Sequence, residues 1–169
     1  MGSPHALRNT IILVRHGEST FNRDGLIQGQ TDESDLTNLG RDQARSIGQW
    51  LNGIAIDRCI ASPLKRVRQS AELICSQVGY PVESITYSHD LVEIDFGPWS
   101  GRPRCDIIEN FPAQYNDWRK RPYDLKIGAN FPVKELYARI YRAIGLWRDA
   151  EQPPSTTLVI GHRGTISAI

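Results

Sequence analysis

Four places in this 169-residue chain carry side chains suited to work on an anion. Arg15-His16-Gly17 follows the apolar run Ile11-Ile12-Leu13-Val14, and Arg66 lies in Ser62-Pro63-Leu64-Lys65-Arg66. Glu93 stands among Leu91, Val92 and Ile94, and His162 follows Thr157-Leu158-Val159-Ile160-Gly161. A guanidinium offers a fixed fork of donors that matches a phosphate edge. A neutral imidazole is a nucleophile, and a carboxyl group among apolar neighbours suits a general acid. Each residue also has a plain alternative: a structural histidine, a solvated arginine, a loop glutamate. What they share is position, because each falls at or just beyond an apolar run.

Those runs predict the elements that position them. The stretch 11–14 reads as a short strand buried on both faces, as in a parallel sheet. Thr37 is a plausible N-cap for a helix that closes at Gly53, with Ala44, Ile47 and Leu51 as its stripe. Residues 57–61 form a second strand, and Ser62-Pro63 opens a second helix, with Pro63 in its first turn. Val67, Ala71, Ile74 and Val78 share one face of it, and Gly79 stops it. Residues 82–87 alternate like a third strand. After the turn-rich stretch 91–101 comes an irregular region, 103–122, with prolines at 103, 112 and 122, where short helical pieces are expected. A strong helix spans about 132–150, with Val133, Leu136, Ile140, Ile144 and Trp147 on one face, and Pro153-Pro154 ends it. A last buried strand covers 157–160. Strands alternating with helices predict a mostly parallel α/β sandwich, whose ligand sites lie beyond the carboxyl ends of the strands. Both the first and last strands deliver a histidine there.

Composition narrows the field. A net charge of +1 gives no global case for nucleic-acid or membrane binding. The three cysteines, Cys59, Cys75 and Cys105, lack metal-ligand spacing and favour a reducing, cytoplasmic compartment. No apolar run is long enough for a membrane span. The chain carries no phosphate-cradling Gly-x-x-x-x-Gly-Lys loop, no Gly-x-Gly-x-x-Gly, no Gly-x-Ser-x-Gly elbow and no cysteine followed six residues later by arginine. Arg119-Lys120-Arg121 reads as a solvated surface, or alternatively as a positive lid over an anionic substrate.

The ordered set of motifs resembles the histidine phosphatase superfamily, also called phosphoglycerate mutase-like. Arg15-His16-Gly17-Glu18, Gln28-Gly29 with Thr31-Asp32, and Leu36-Thr37-Asn38-Leu39-Gly40 carry the likeness. So do Ser62-Pro63-Leu64-Lys65-Arg66, Glu93-Ile94-Asp95-Phe96-Gly97-Pro98-Trp99-Ser100-Gly101 and Gly161-His162. The resemblance implies a three-layer α/β/α sandwich with a mostly parallel central sheet, forming a single domain over 10–169 behind a flexible leader, 1–9. It also implies that the family's usual final helix and strand are lacking after Ile169. In chemistry, it implies hydrolysis of a small phosphate monoester through a phosphohistidine on His16, with Glu93 as general acid and base. Arg15, Arg66 and His162 would hold the equatorial oxygens, and the two arginines with the second histidine would supply the positive charge, so no metal or other cofactor is called for. Gly17, Glu18, Asn22, Gln28, Gly29, Arg163 and Gly164 would line the pocket. The alternatives are a phosphoglycerate-type mutase or a silent phosphate-binding regulator, and a homodimer is left open. Mutases of the family usually carry Glu-Arg-His-Tyr-Gly where this chain has Glu93-Ile94-Asp95-Phe96-Gly97, which favours hydrolysis. Arg163 stands where many relatives have glycine, so it either favours a multiply anionic substrate or points outward. Specificity is expected within residues 102–131.

Overall fold

The computed structural model describes residues 9–147 and 155–169. All of the expected leader but Asn9, the Pro153-Pro154 stop and the place of the Trp147 side chain lie outside what it describes. Its sheet is parallel throughout. Strands β1 (Thr10–Arg15), β2 (Arg58–Ala61), β3 (Thr86–Tyr87) and β4 (Thr156–Gly161) run side by side in the order β1-β4-β2-β3. Such a sheet needs cover on both faces. Helices α2 (Asn38–Trp50) and α3 (Lys65–Val78) bury Ala44, Val67, Ala71 and Ile74 against Val14, Cys59, Leu158 and Ile160 on one face. On the other, α6 (Pro132–Trp147) and α7 (Arg163–Ala168) pack Leu136, Ile140 and Ala168 around Val159 and Ile60. The expected α/β/α sandwich is the observed fold.

Local signals explain the element ends. The Thr37 hydroxyl accepts from Gly40 N–H at 3.0 Å and caps α2. Gly79 ends α3 at φ +73°, a left-handed cap that glycine adopts without strain. Three expectations shift. Helix α3 begins at Lys65, after Leu64, so Pro63 precedes the helix instead of sitting in its first turn. The stretch 82–87 keeps only Thr86 and Tyr87 as strand, because only they pair with Ile60 and Ala61, and residues 82–84 make a short 3₁₀ turn. Strand β1 is not buried on both faces. It lies at the sheet edge, and Ile11 and Leu13 stay 40% and 38% exposed on the face opposite Val14. A small helix not expected from the sequence, α1 (Thr20–Arg23), is held by a capping box between Ser19 and Asn22.

The irregular region resolves into α4 (Arg104–Asn110) and α5 (Pro112–Lys120), the latter opened by its proline. They close a second core in which Trp99, Phe96, Ile107, Leu125 and Val133 are buried, with the half-buried Trp118 and Tyr115 packed against it. The Trp118 ring meets Phe96 edge-on at 5.1 Å and Tyr115 at 5.6 Å.

The first turn of α2 crosses the loop after β1 with no room for a side chain on either partner. A Cβ on Gly17 would fall 2.2 Å from the Gly40 carbonyl oxygen, and one on Gly40 would fall 2.0 Å from that of Glu18. Both neighbours are backbone and cannot yield by rotating a side chain. Gly40→Ala is therefore expected to lower the unfolding free energy by about 1–3 kcal/mol, read as a drop in the urea midpoint at constant slope. An unchanged midpoint would contradict this packing.

Candidate functional site

The sheet register assembles the site. Arg15 pairs with Gly161 and Ala61 with Ile160, so His16, Ser62 and His162 follow together at three adjacent strand ends. The His16 N–H donates to the Gly161 carbonyl at 3.1 Å, which extends the ladder into the site. The two imidazole rings stand edge to face, 5.3 Å apart.

His16 is buried, and its Nδ1 lies 2.7 Å from its neighbour's carbonyl, Gly17 O. Only a protonated Nδ1 can donate there, so Nε2 keeps its lone pair. Burial first, and then the charges of Arg66 and Arg15, lower the His16 pKa to about 3. The Gly17 loop is fixed in turn, since Gly17 N–H donates to the Ser70 hydroxyl at 3.1 Å and Ser70 donates to the Arg66 carbonyl at 2.8 Å.

Arg66 is 1% exposed, near the start of α3. Its guanidinium donates to the carbonyls of Thr31 and Gly29, each at 2.8 Å, and to His162 Nδ1 at 3.2 Å. It forms no ion pair among the described residues, and its Nε has no partner. Burial lowers its pKa to about 10, so it remains a cation at neutral pH. The Gln28-Gly29-Gln30-Thr31-Asp32 segment thus has a physical task. Gly29 and Thr31 hold the guanidinium, and the Asp32 carboxylate accepts from Lys65 N–H at the start of α3. Gly29 sits at φ +53°, and a Cβ there would meet the Ser100 hydroxyl at 2.5 Å.

His162 is fully buried, accepts from Arg66 at Nδ1 and so donates from Nε2 to the Ser62 hydroxyl at 2.9 Å. Burial, followed by Arg66, holds its pKa well below the usual imidazole range. This corrects the expectation that His162 supplies positive charge. It orients Arg66, and the positive charge comes from Arg66 and the exposed Arg15.

Glu93 belongs to a second scaffold. Its Oε2 accepts from Gly164 N–H at 3.2 Å and its Oε1 from Ile94 N–H at 2.9 Å. A Cβ on Gly164 would strike Glu93 Oε1 at 2.2 Å, so glycine is what admits the carboxylate. Arg139 on α6 donates to the carbonyls of Asp90 and Glu93, at 3.0 and 3.3 Å. Thr165 donates to those of Leu91 and Val92, and Gln30 to that of Glu93. Among the other expected residues, Asn22 and Gln28 accept from the Ser19 hydroxyl at 3.0 and 2.9 Å. Their amide NH₂ groups have no partner among the described residues. Glu18 departs from expectation, because its carboxylate accepts from the Thr37 hydroxyl at 2.7 Å and ties β1 to α2. Arg163 is exposed and lines a cleft of about 330 Å³ with Glu93, Gly164, Trp118 and Arg119.

Ser62, Ser70, Thr31, Arg139 and Thr165 were missed as site residues. Three left a trace in the sequence. Ser62 ends a strand just as the histidines do, Thr31 belongs to the Gln28–Asp32 motif, and Arg139 interrupts the apolar face between Leu136 and Ile140. Ser70 and Thr165 act on atoms far away in sequence and left none.

The profile of the histidine phosphatase superfamily (branch 1) matches residues 11–169. The chain belongs to that superfamily. It is 35% identical over 167 residues to a 2-carboxy-D-arabinitol-1-phosphatase of Triticum aestivum, covering 98% of this chain and 32% of that protein. It is 32% identical over 162 residues to the adenosylcobalamin/alpha-ribazole phosphatase of Escherichia coli K12, covering 93% of this chain and 75% of that one. The chain therefore spans about a third of the length of the wheat relative and three quarters of the bacterial one. The solved structure of Bacillus stearothermophilus YhfR shares the histidine phosphatase fold with a TM-score of 0.86, over 95% of this chain and 77% of that one, at 24% identity. Among the described residues no group of three or more His, Cys, Asp or Glu is placed to hold a metal ion, and no helix is long and apolar enough to cross a membrane.

The two buried histidines of this phosphatase-family site make stability depend on pH. In the unfolded chain an imidazole takes up a proton near pH 6.5, whereas His16 in the folded chain resists until about pH 3. The unfolded state binds more protons between those values, so stability is fully present above pH 6.5 and falls as the pH drops toward 3. Urea unfolding at intervals from pH 7 to 4 is expected to show that fall, and His16→Asn to make it shallower while the share of His162 remains. Equal slopes in the two proteins would contradict the buried, neutral state of His16.

Proposed function

We propose that this chain hydrolyses a phosphate monoester through a phosphohistidine on His16. One observation carries the reading: the Nδ1–H of a buried neutral histidine is committed to a carbonyl, leaving an Nε2 lone pair free in the field of the buried Arg66 cation. The lone pair attacks phosphorus in line, the ester P–O bond breaks, and Glu93 gives the departing alcohol oxygen its proton. The Glu93 carboxylate then takes a proton from a water whose oxygen attacks phosphorus. The P–N bond breaks with its electron pair returning to Nε2, and inorganic phosphate leaves. Arg66 and Arg15 stabilise the charge on the equatorial oxygens, with His162 positioning Arg66, and the amides of Asn22 and Gln28 supply further donors. A phosphorylated metabolite is the substrate class that the two phosphatase relatives support. A cytoplasmic location fits three cysteines that are all unbonded.

Phosphate release from a panel of monoesters, with and without EDTA, tests this. We expect EDTA-insensitive turnover that His16→Ala abolishes and Glu93→Gln slows by about 10²–10⁴-fold. Equal release by wild type and His16→Ala would overturn the nucleophile. Interconversion of phosphoglycerates with little phosphate release would favour the mutase instead.

A further inference from the structure

The cleft beside Glu93 is where an alcohol must leave, and its chemistry is specific. Arg163 on α7, Arg119 on α5 and Arg104 on α4 all line it, and Glu93 is the only acid among its lining residues. Nearby arginines are neutralised: Arg102 pairs with Asp106, and Arg121 with Asp117 at 2.7 Å. Arg104, Arg119 and Arg163 make no ion pair among the described residues. The basic run at 119–121 therefore divides, with Arg121, just past the end of α5, held to Asp117 and Arg119 given to the cleft. The cleft also has an aromatic lining, from Tyr115, Trp118 and Phe96, and the contacts of the Trp118 ring with the other two hold it in place. At about 330 Å³ the cleft suits a metabolite-sized group.

We infer that the alcohol released by this site carries an anionic group of its own, a carboxylate or a second phosphate, recognised by Arg163 and Arg119 with Arg104 at the rim. The inference rests on the phosphatase reading for its orientation, since the esterified oxygen must face Glu93. The arginines would act as specificity determinants, binding the remote anion while the carbon body lies on the aromatic wall.

Matched benzyl esters isolate this effect, because the methylene insulates the reacting oxygen from the ring substituent. The probes are benzyl phosphate, 4-carboxybenzyl phosphate, 4-phosphonobenzyl phosphate and 4-(aminomethyl)benzyl phosphate. We expect wild-type kcat/KM for an anionic ester to exceed that for benzyl phosphate about tenfold or more, and the cationic ester to be the poorest. Arg119→Ala and Arg163→Ala should each reduce that ratio several-fold, with Arg163→Lys recovering part of it. A damaged fold would lower all four rates together and leave the ratio intact. Whichever of the carboxylate and phosphonate esters shows the larger ratio identifies the source of the anion. A ratio near one, or a ratio unmoved in both alanine variants, would overturn the inference while leaving hydrolysis standing. If no ester is hydrolysed, the phosphatase reading fails and the cleft is tested by binding alone. NMR titration should then show 4-(hydroxymethyl)benzoate binding saturably where benzyl alcohol does not, with loss in Arg119→Ala, and equal behaviour of the two alcohols would overturn the inference.

Discussion

A buried cation with no carboxylate against it is the constraint on which the rest of this structure depends. Arg66 is 1% exposed, and desolvating a guanidinium is costly unless its donors are satisfied. Two carbonyls of the 28–31 loop and one imidazole satisfy most of them. Those partners account for features that otherwise look unrelated. Gly29 takes a left-handed conformation to present its carbonyl, Asp32 anchors the same loop to the start of α3, and His162 must be neutral to accept from Arg66. The positive field that remains also depresses the basicity of His16. A chain that holds a cation in this way is built to receive an anion.

The site joins two separately supported halves. His16, Ser62 and His162 are strand-end residues placed by the parallel register and by the tight crossing of Gly17 with Gly40. Glu93 hangs from loops and is carried by Arg139, Thr165 and Gly164 instead of by the sheet. The aromatic second core, around Trp99 and Trp118, adds the wall of the cleft. On the proposed reaction, substitutions in the first half act on the phosphoryl group and those in the second on the leaving group.

The sequence made some of this legible for clear reasons. Apolar runs that end in chemistry-bearing residues revealed β1, β2 and β4 and the histidines at the tips of two of them. Periodicity and end signals revealed α2, α3 and α6, since Thr37 and Gly79 act within a few residues of themselves. Strand β3 was overextended because alternation over 82–87 says nothing about where a partner strand stops. The burial of β1 was misjudged because the apolar run Ile11 to Val14 does not tell an edge strand from a central one. The hydrogen bonds that position Glu93 and Arg66 join residues tens of positions apart, so local pattern could not show them. Glu18 illustrates the converse: it belongs to the family motif, yet its carboxylate works for the helix cap at Thr37.

In the proposed reaction His16 transiently carries the phosphoryl group. Acid or base quench during steady-state turnover of a radiolabelled monoester, followed by proteolysis and mass spectrometry, tests it directly. A phosphohistidine intermediate gives a base-stable, acid-labile phosphoryl group on the peptide that contains His16, chased away by excess unlabelled substrate and absent from His16→Ala. Label on another residue, or full turnover without any labelled protein, would contradict it.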